Sequence, residues 1–177
     1  QSSRIPNKNT QMLGGQPLFL WTVQAALAVK PKLTVVVSTD AGPDGDVIAD
    51  DARRAGAAVS RRPQELCGNP AQAPDVALQV LDVYEAEHGT PETVVMLLPT
   101  SPFRTAQQIE EALALHRSGA YGPVNVVSVL DGADLLHKRC ECFGGIIAWG
   151  PPLRERPCDE SGTQVMLNGA IWIATPD

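Results

Sequence analysis

The sequence is poor in aromatic residues (5%), in cysteine and in net positive charge. Its 177 residues hold 14 Lys and Arg against 20 Asp and Glu, a formal charge of -6, so a broad basic face that coats nucleic acid is not expected. A local phosphate pocket stays compatible with this charge, because it needs only about two or three cations. No apolar run approaches the roughly 20 residues of a membrane span, and the sequence does not open with a basic leader followed by an apolar segment. We therefore expect a cytoplasmic protein that binds neither nucleic acid nor a membrane.

The four cysteines are Cys67, Cys140, Cys142 and Cys158. They are too few and too scattered to predict a disulfide framework. Cys140, Cys142 and Cys158 could form a metal site with His137, but a gap of one residue is unusual for structural zinc and no second pair follows. We favour reduced structural thiols.

The chain begins at Gln1 without Met and stops at Asp177, just after an apolar run. Neither end resembles a natural terminus. We expect a single domain over residues 1–177 that continues in both directions.

Short apolar runs alternate with segments of helical periodicity. The predicted strands are Leu33–Val37, Ala57–Ser60, Thr93–Leu98, Val124–Leu130 and Val165–Ala174. One predicted helix begins at Pro17, and three others cover Val47–Ala55, Asp75–Glu87 and Thr105–His116. Strands joined by helices form parallel crossovers, so the pattern predicts an α/β fold: a Rossmann-like three-layer sandwich with a mainly parallel sheet. Residues 131–164 lose the periodicity and are predicted as a small irregular lobe with one hairpin strand at Gly145–Trp149. Such sheets bind ligands beyond the carboxyl ends of their strands, and the loops there are the candidate sites.

The first candidate loop runs from Ser2 to Asn9 and contains two hydroxyls and two cations, Arg4 and Lys8. Hydroxyl and backbone donors next to an ammonium group are what a polyphosphate needs. A solvated basic segment is an equally good interpretation of these residues alone. The chain has neither the P-loop of many ATPases nor the glycine fingerprint of dinucleotide-binding folds.

Two further loops follow predicted strands. Arg62 lies in an Arg-Arg-Pro sequence, where a guanidinium could bond the carbonyl and ring nitrogen of a base, although such pairs are more often simply exposed. The turn at Leu98–Thr105 is stiffened by two prolines, which would hold Thr100, Ser101 and Arg104 with little entropy left to lose. The same turn would also serve merely to connect a strand to a helix capped by Thr105.

The remaining candidates are weaker. Asn168-Gly169, inside a strand-like run, indicates either an amide aimed at a ligand or a bulge. Asp40, at the end of a strand, could bind a metal or cap a helix, but no second carboxylate stands at metal spacing. The three histidines, His88, His116 and His137, have no identifiable nucleophile partner and are expected at the surface.

Taken in order, these loops resemble the sugar-acid cytidylyltransferases, above all the N-acylneuraminate cytidylyltransferases. The matching sequences are Ser2-x-Arg4-Ile5-Pro6-x-Lys8-Asn9, Gly14-Gly15-x-Pro17-Leu18, Val37-Ser38-Thr39-Asp40, Arg62-Pro63-x-Glu65-Leu66, Pro99-Thr100-Ser101-Pro102-Phe103-Arg104-Thr105 and Asn168-Gly169-Ala170-Ile171-Trp172-Ile173. One such motif would be weak, but six in order across nearly the whole chain are specific to the family.

The resemblance implies a homodimeric enzyme of Rossmann-like fold that uses CTP, a 2-keto sugar acid and Mg²⁺. The anomeric hydroxyl of the sugar attacks the α-phosphate in line, and CMP-sugar and pyrophosphate form. By match, the residues that would bind the nucleotide are Ser2, Arg4, Lys8, Asn9, Arg62 and the backbone of Ala71, with Ser2 and Lys8 on the triphosphate. Those that would line or support the sugar side are Leu98, Thr100, Ser101, Arg104, Asn168 and Trp172.

The chain also departs from the family pattern. Leu98 replaces a sugar-binding Gln, Trp172 replaces Tyr, and the segment Asn69–Ala73 replaces Asp-Thr-Ala-Ser-Ser. The Arg-Arg-Gln sequence of the family's dimer lobe is only loosely matched by Arg154 and Arg156, and the metal-binding Asp-x-Asp would lie beyond Asp177. Three alternatives therefore stay open: another nonulosonic acid, a different sugar acid or sugar phosphate, or a homologue that binds nucleotide without turnover.

Overall fold

The computed structural model describes residues 5–67, 73–118, 126–131, 139–143, 146–148 and 163–176. Its helices are α1 (Leu18–Leu27), α2 (Pro43–Ala55), α3 (Ala73–His88) and α4 (Ala106–Ser118). Its strands are β1 (Met12–Leu13), β2 (Gln16–Pro17), β3 (Val36–Thr39), β4 (Ala58–Arg61), β5 (Val94–Met96), β6 (Val126–Asp131), β7 (Arg139–Phe143), β8 (Ile146–Ala148) and β9 (Thr163–Ala174). From α1 to β6 helices and strands alternate, as the sequence predicts, whereas the short antiparallel pair β1–β2 before α1 was not predicted.

Helix ends follow local chemistry. The predicted stop of α2 is confirmed at Gly56, which adopts a left-handed φ of 96°. Its predicted start at Val47 is wrong, because the helix already begins at Pro43, a residue that suits the first turn. Asp44 and Asp46 in that turn complement the positive end of the helix dipole.

Thr105 caps α4, as predicted. The backbone N–H of Gln108 donates to Thr105 Oγ1 over 3.2 Å, and the N–H of Thr105 donates to Gln108 Oε1 over 3.0 Å. This reciprocal capping box satisfies two backbone donors at the start of the helix. It fixes the direction in which the chain leaves the turn after β5.

The strand pairings do not confirm a mainly parallel sheet. Among the described strands, β3 and β4 pair in parallel, whereas β9 pairs antiparallel with β5, β6 and β7, and β7 pairs antiparallel with β8. The β7–β8 hairpin includes the strand predicted at Gly145–Trp149. Antiparallel neighbours need no helical crossover, so the alternation of elements in the first two thirds of the chain gave no information about this last part.

The irregularity predicted at Asn168-Gly169 lies inside a continuous strand, β9. Its register against β6 shifts between the pairs Val127↔Trp172 and Val129↔Leu167, so residues 168–171 of β9 face a single residue of β6. Such a shift is the bulge that the sequence offered as one of two interpretations.

Two clusters of buried side chains form the core, and α1 contacts both. One contains Val29, Ile109, Leu113, Ile171 and Ile173, with Ala25 of α1 packed against it. The other contains Phe19, Val23, Ala52 and Ala57, so it joins α1 and α2 to the β3–β4 pair. Helix α1 therefore connects the parallel pair to the sheet around β9. No helix among the described residues is long and apolar enough to cross a bilayer.

Candidate active site

Arg62 and Asp40 meet at the carboxyl ends of two neighbouring strands. The parallel register of β3 and β4 places Thr39 opposite Arg61, and the backbone N–H of Arg62 donates to the carbonyl of Thr39 over 3.0 Å. Arg62 Nη2 then lies 2.9 Å from Asp40 Oδ1 as an ion pair. The contact uses one end of the guanidinium. Arg62 Nε is buried and has no hydrogen-bond partner among the described residues.

Lys8 lies in a short 3₁₀ helix, Lys8–Thr10, held by its own hydrogen bonds. Asn7 adopts a left-handed φ of 51°, and its carbonyl accepts from the Thr10 hydroxyl over 2.9 Å. The side-chain amide of Gln11 donates to the carbonyl of Pro6 over 3.3 Å. The half-buried Lys8 makes no ion pair with any of the residues that the structure describes. The loop thus holds an unneutralised cation on a pre-formed backbone.

Asn9, the next residue of that helix, is half-buried, and its Oδ1 is a buried acceptor that no described residue bonds. The helix packs against both α1 and α2. Because α2 begins three residues after Asp40, this packing connects the Lys8 loop to the element that follows β3.

The turn after β5 is built around Arg104, which is only 6% exposed. Arg104 Nη2 donates to the carbonyl of Leu98 over 2.9 Å, and Nη1 donates to Thr22 Oγ1 on α1 over 3.4 Å. Burial lowers the pKa of Arg104 to about 10, so the side chain is still charged at neutral pH. Thr100 is exposed and Ser101 half-buried, so the turn offers these hydroxyls, while the guanidinium faces the turn itself.

Trp172 of β9 lies opposite Met96 of β5, close to the start of the same turn. Its indole Nε1 is buried without a hydrogen-bond partner among the described residues. A buried N–H group normally finds an acceptor, and the described residues do not supply one here.

Buried polar atoms without a partner recur around these loops. Leaving aside Asp40 Oδ1, which the ion pair with Arg62 satisfies, they are Asn9 Oδ1, Ser38 Oγ, Arg62 Nε, Gln79 Oε1, Arg104 Nε and Trp172 Nε1. Each such atom costs about 1–3 kcal/mol when it is left unsatisfied, and no described residue supplies the missing bonds. Four of the six belong to residues that the sequence selected.

The other two, Ser38 and Gln79, were not selected as site residues. Ser38 belongs to the Val37-Ser38-Thr39-Asp40 motif, and strand alternation puts it on the face opposite Val37, which packs against the α1–α2 core. That alternation, applied to the motif, would have found Ser38. Gln79 lies on α3, which contacts β3, and its only signal is a polar residue among apolar ones.

Some predicted residues cannot be placed. Ser2, Arg4 and Ala71 lie outside the described residues, and for Asn168 the structure gives the backbone of β9 alone. Their roles stay predictions. The placed loops are connected: the Lys8 helix packs on α1 and α2, Arg104 bonds α1, and Arg62 bonds Asp40 just before α2.

The described residues offer no metal centre. They contain no group of three or more His, Cys, Asp and Glu side chains that could hold a metal ion. The side chains of Cys140 and Cys142 are not described, and Cys158 and His137 lie outside the described residues, so the zinc alternative is untested. Cys67 is a free thiol.

Comparison with known proteins decides the family. The sequence profile described as cytidylyltransferase matches residues 1–133, three quarters of the chain, including the Lys8, Arg62 and Arg104 motifs. The chain belongs to the cytidylyltransferase family. The resemblance that the sequence alone indicated is therefore confirmed.

Individual relatives point the same way. The chain is similar to CMP-N,N'-diacetyllegionaminic acid synthase of Legionella pneumophila, with 32% identity over 98% of this chain and 73% of that protein. It is also similar to N-acylneuraminate cytidylyltransferase of Escherichia coli (33% identity over 66% of this chain) and to N-acylneuraminate cytidylyltransferase A of Danio rerio (29% over 98%). It spans only 26% and 39% of the lengths of these last two proteins.

Solved structures support the fold. A CMP-2-keto-3-deoxy-manno-octonic acid synthetase in complex with CTP superposes with a TM-score of 0.72 at 14% identity, over 99% of this chain and 70% of that one. A cytidylyltransferase from Leptospira borgpetersenii superposes with a TM-score of 0.51 at 14% identity, over 94% of this chain and 56% of that one. The α/β fold of nucleotidyltransferases is thus shared.

Proposed function

We propose that the protein transfers CMP from CTP to a 2-keto sugar acid of the nonulosonic type and releases pyrophosphate. One observation carries the proposal: among the residues that the structure describes, Lys8 has no ion-pair partner, whereas the guanidinium of Arg62 is already neutralised by the carboxylate of Asp40. A triphosphate attracts the first kind of group, and a neutral base suits the second. A nucleoside triphosphate presents both ligands at opposite ends.

The proposed reaction is a displacement at the α-phosphate. The anomeric hydroxyl of the sugar acid gives up its proton to solvent and its oxygen bonds to the α-phosphorus, while the bond from that phosphorus to the oxygen it shares with the β-phosphate breaks and pyrophosphate leaves. Lys8 stabilises the charge that develops on the leaving group, and its self-bonded loop keeps the ammonium in place before the reaction. Asn9, in the same short helix, contacts the nucleoside through its unsatisfied amide.

The acceptor sugar binds at the turn after β5. Thr100, Ser101 and the indole N–H of Trp172 offer hydrogen bonds to hydroxyls and carboxylate, and Leu98 offers an apolar contact. Arg104 supports this turn from beneath, by its bond to the Leu98 carbonyl. The similarity to the Legionella protein makes a diacetylated acid such as legionaminate the first acceptor to test.

Other features of the family remain part of this proposal. They are a homodimer, with residues 131–164 in the contact between subunits, a cytoplasmic location and a requirement for Mg²⁺. The described residues contain no group of three or more His, Cys, Asp and Glu side chains that could hold the ion without substrate, and no step of the reaction is assigned to it.

The test is pyrophosphate release by the full-length protein with CTP and a panel of acceptors: legionaminate, pseudaminate, N-acetylneuraminate and 3-deoxy-manno-octulosonate. We expect release with CTP and at least one acceptor, and much less with UTP or ATP. Binding of CTP without release of pyrophosphate in the presence of any of the acceptors would contradict the proposal. That outcome would favour a homologue that binds nucleotide without turnover, the alternative suggested by Leu98 and by the changed segment Asn69–Ala73.

A further inference from the structure

Asp40 and Arg62 form a unit at the ends of β3 and β4 whose chemistry suits a neutral ligand. We propose that Asp40 is a positioning residue for nucleobase specificity: it neutralises and orients the Arg62 guanidinium, so that the remaining N–H donors select cytosine. The inference rests on the proposed use of CTP, and it adds a residue that the family resemblance does not assign to the site.

The backbone of Asp40 is fixed from two sides. Its carbonyl accepts a hydrogen bond from Arg61 Nη1 over 2.7 Å. Gly45, in the first turn of α2, packs so closely that a Cβ atom there would lie 1.9 Å from the same carbonyl oxygen. Because these two contacts hold the carbonyl, the backbone from which the Asp40 side chain extends has a fixed position.

Arg62 is fixed by its backbone and by Asp40. Its N–H continues the parallel pairing of β4 with β3, and Nη2 approaches Asp40 Oδ1 to 2.9 Å. Both side chains are mostly buried, with 24% of Arg62 and 31% of Asp40 exposed. The orphaned Nε shows that the guanidinium retains a buried donor that the described residues do not use.

The charge of this corner also favours a base over a phosphate. Arg61 pairs with Asp46 and Arg62 pairs with Asp40, so two positive and two negative side chains leave no net charge. A neutral corner gains little from a phosphate. Its free N–H donors still gain from the acceptors O2 and N3 of cytosine, whereas in uracil the N3 position is itself a donor.

Selectivity that rests on matching donors to acceptors is strong, because uracil would place its N3–H donor against the buried N–H donors of Arg62 and leave them without an acceptor. Without Asp40, the guanidinium would keep its charge but lose the contact that orients it. Selectivity for CTP should then fall, even though Arg62 itself is intact.

The decisive experiment compares Asp40→Asn with the unmodified full-length protein. Turnover with CTP and UTP, and binding of both nucleotides by calorimetry, are measured in parallel. We expect the preference for CTP over UTP to fall about tenfold in kcat/KM and in the ratio of dissociation constants, mainly through weaker CTP binding. Asp40→Glu, which keeps the carboxylate, should restore part of the preference.

Asp51→Asn is the matched control. Asp51 also pairs with an arginine, Arg54, over 2.5 Å, and its side chain is 21% exposed, but it lies near the other end of α2. We expect this variant to leave the CTP to UTP ratio unchanged. Combining Asp40→Asn with Arg62→Gln should lower the ratio no further than Arg62→Gln alone, because the two residues act as a unit.

The outcomes separate the two proposals. If Asp40→Asn lowers the melting temperature but leaves both ratios unchanged, Asp40 is merely structural and this inference is wrong. If the unmodified protein binds CTP but releases no pyrophosphate, the proposed reaction fails, while the ratio of dissociation constants still tests Asp40. Additive effects of the two substitutions would also overturn the inference.

Discussion

Arg104→Met is the substitution whose effect the structure defines most closely. Methionine keeps most of the buried stem and removes the guanidinium. It therefore deletes the bond to the Leu98 carbonyl and the longer contact with Thr22. A bond from a charged donor is worth about 1.5–3 kcal/mol, and its loss leaves the carbonyl without its donor.

An opposing contribution reduces this cost. Burial disfavours the charged guanidinium, as its lowered pKa of about 10 shows, and Nε has no partner to compensate. Removing the charge relieves that penalty. We expect a net loss of about 1–2 kcal/mol in the free energy of unfolding, a fall in melting temperature of roughly 2–8 °C for a chain of this size.

The activity of the same variant reports how Arg104 acts. If it only supports the turn, the KM for the sugar acid should rise by up to about tenfold while kcat changes little, because Ser101 and Leu98 shift slightly. Thermal unfolding and pyrophosphate release measure the two effects. Gln107→Met, an exposed change on α4, is the control and should alter neither.

Two results would refute this reasoning. An unchanged melting temperature would mean that the bond to Leu98 contributes no more than the burial penalty that methionine removes, against the expected net loss. A loss of more than about a hundredfold in kcat at unchanged stability would mean that the guanidinium contacts the reacting groups directly.

The pH dependence gives a further check on Arg104. Burial lowers its pKa in the folded state from its ordinary value to about 10, so from about pH 10 upward the folded protein binds fewer protons than the unfolded chain. The stability of the unmodified protein relative to Arg104→Met should therefore be flat from pH 6 to 9 and rise above pH 10. A slope near neutral pH would contradict the assignment.

Three further predictions use other parts of the chain. Lys8→Ala should lower kcat by roughly two orders of magnitude through loss of charge stabilisation, while Lys32→Ala, in the segment before β3, should not; equal rates for the unmodified protein and Lys8→Ala would remove Lys8 from the reaction. Thr105→Ala should cost about 1 kcal/mol by opening the capping box, and Thr105→Ser should recover it in thermal unfolding. Burial, followed by the hydrogen bond and the charge of Asp40, raises the pKa of the Cys67 thiol, so its contribution to stability is lost as the pH rises above 9. Peptide mapping after alkylation at pH 8 should find Cys67 slower than a model thiol and faster after Asp40→Asn; no difference would contradict the contact.

Local signals predicted the boundaries that depend on local chemistry. Gly56 ends α2 and Thr105 caps α4, because a left-handed residue and a capping hydroxyl act within one turn of the helix. The start of α2 was predicted late because Gly42-Pro43 indicates a turn as well as the first position of a helix. Strand direction was harder to predict. The partners of β9 come from segments up to 80 residues away, as the pair Val94 and Ala174 shows, and periodicity contains no information about them.

The sequence by itself determined the family, since six motifs in order leave little freedom, and it predicted the loops that carry the chemistry. Only the tertiary structure decided which neighbours each side chain in those loops bonds. Arg62 and Arg104 are the same residue type and each keeps a buried Nε without a partner among the described residues, yet Arg62 pairs with the carboxylate of Asp40, while Arg104 donates to the Leu98 carbonyl and to Thr22, 82 residues away. The physical reason is that a polar group binds a ligand with the hydrogen bonds that its neighbours in space have not already taken.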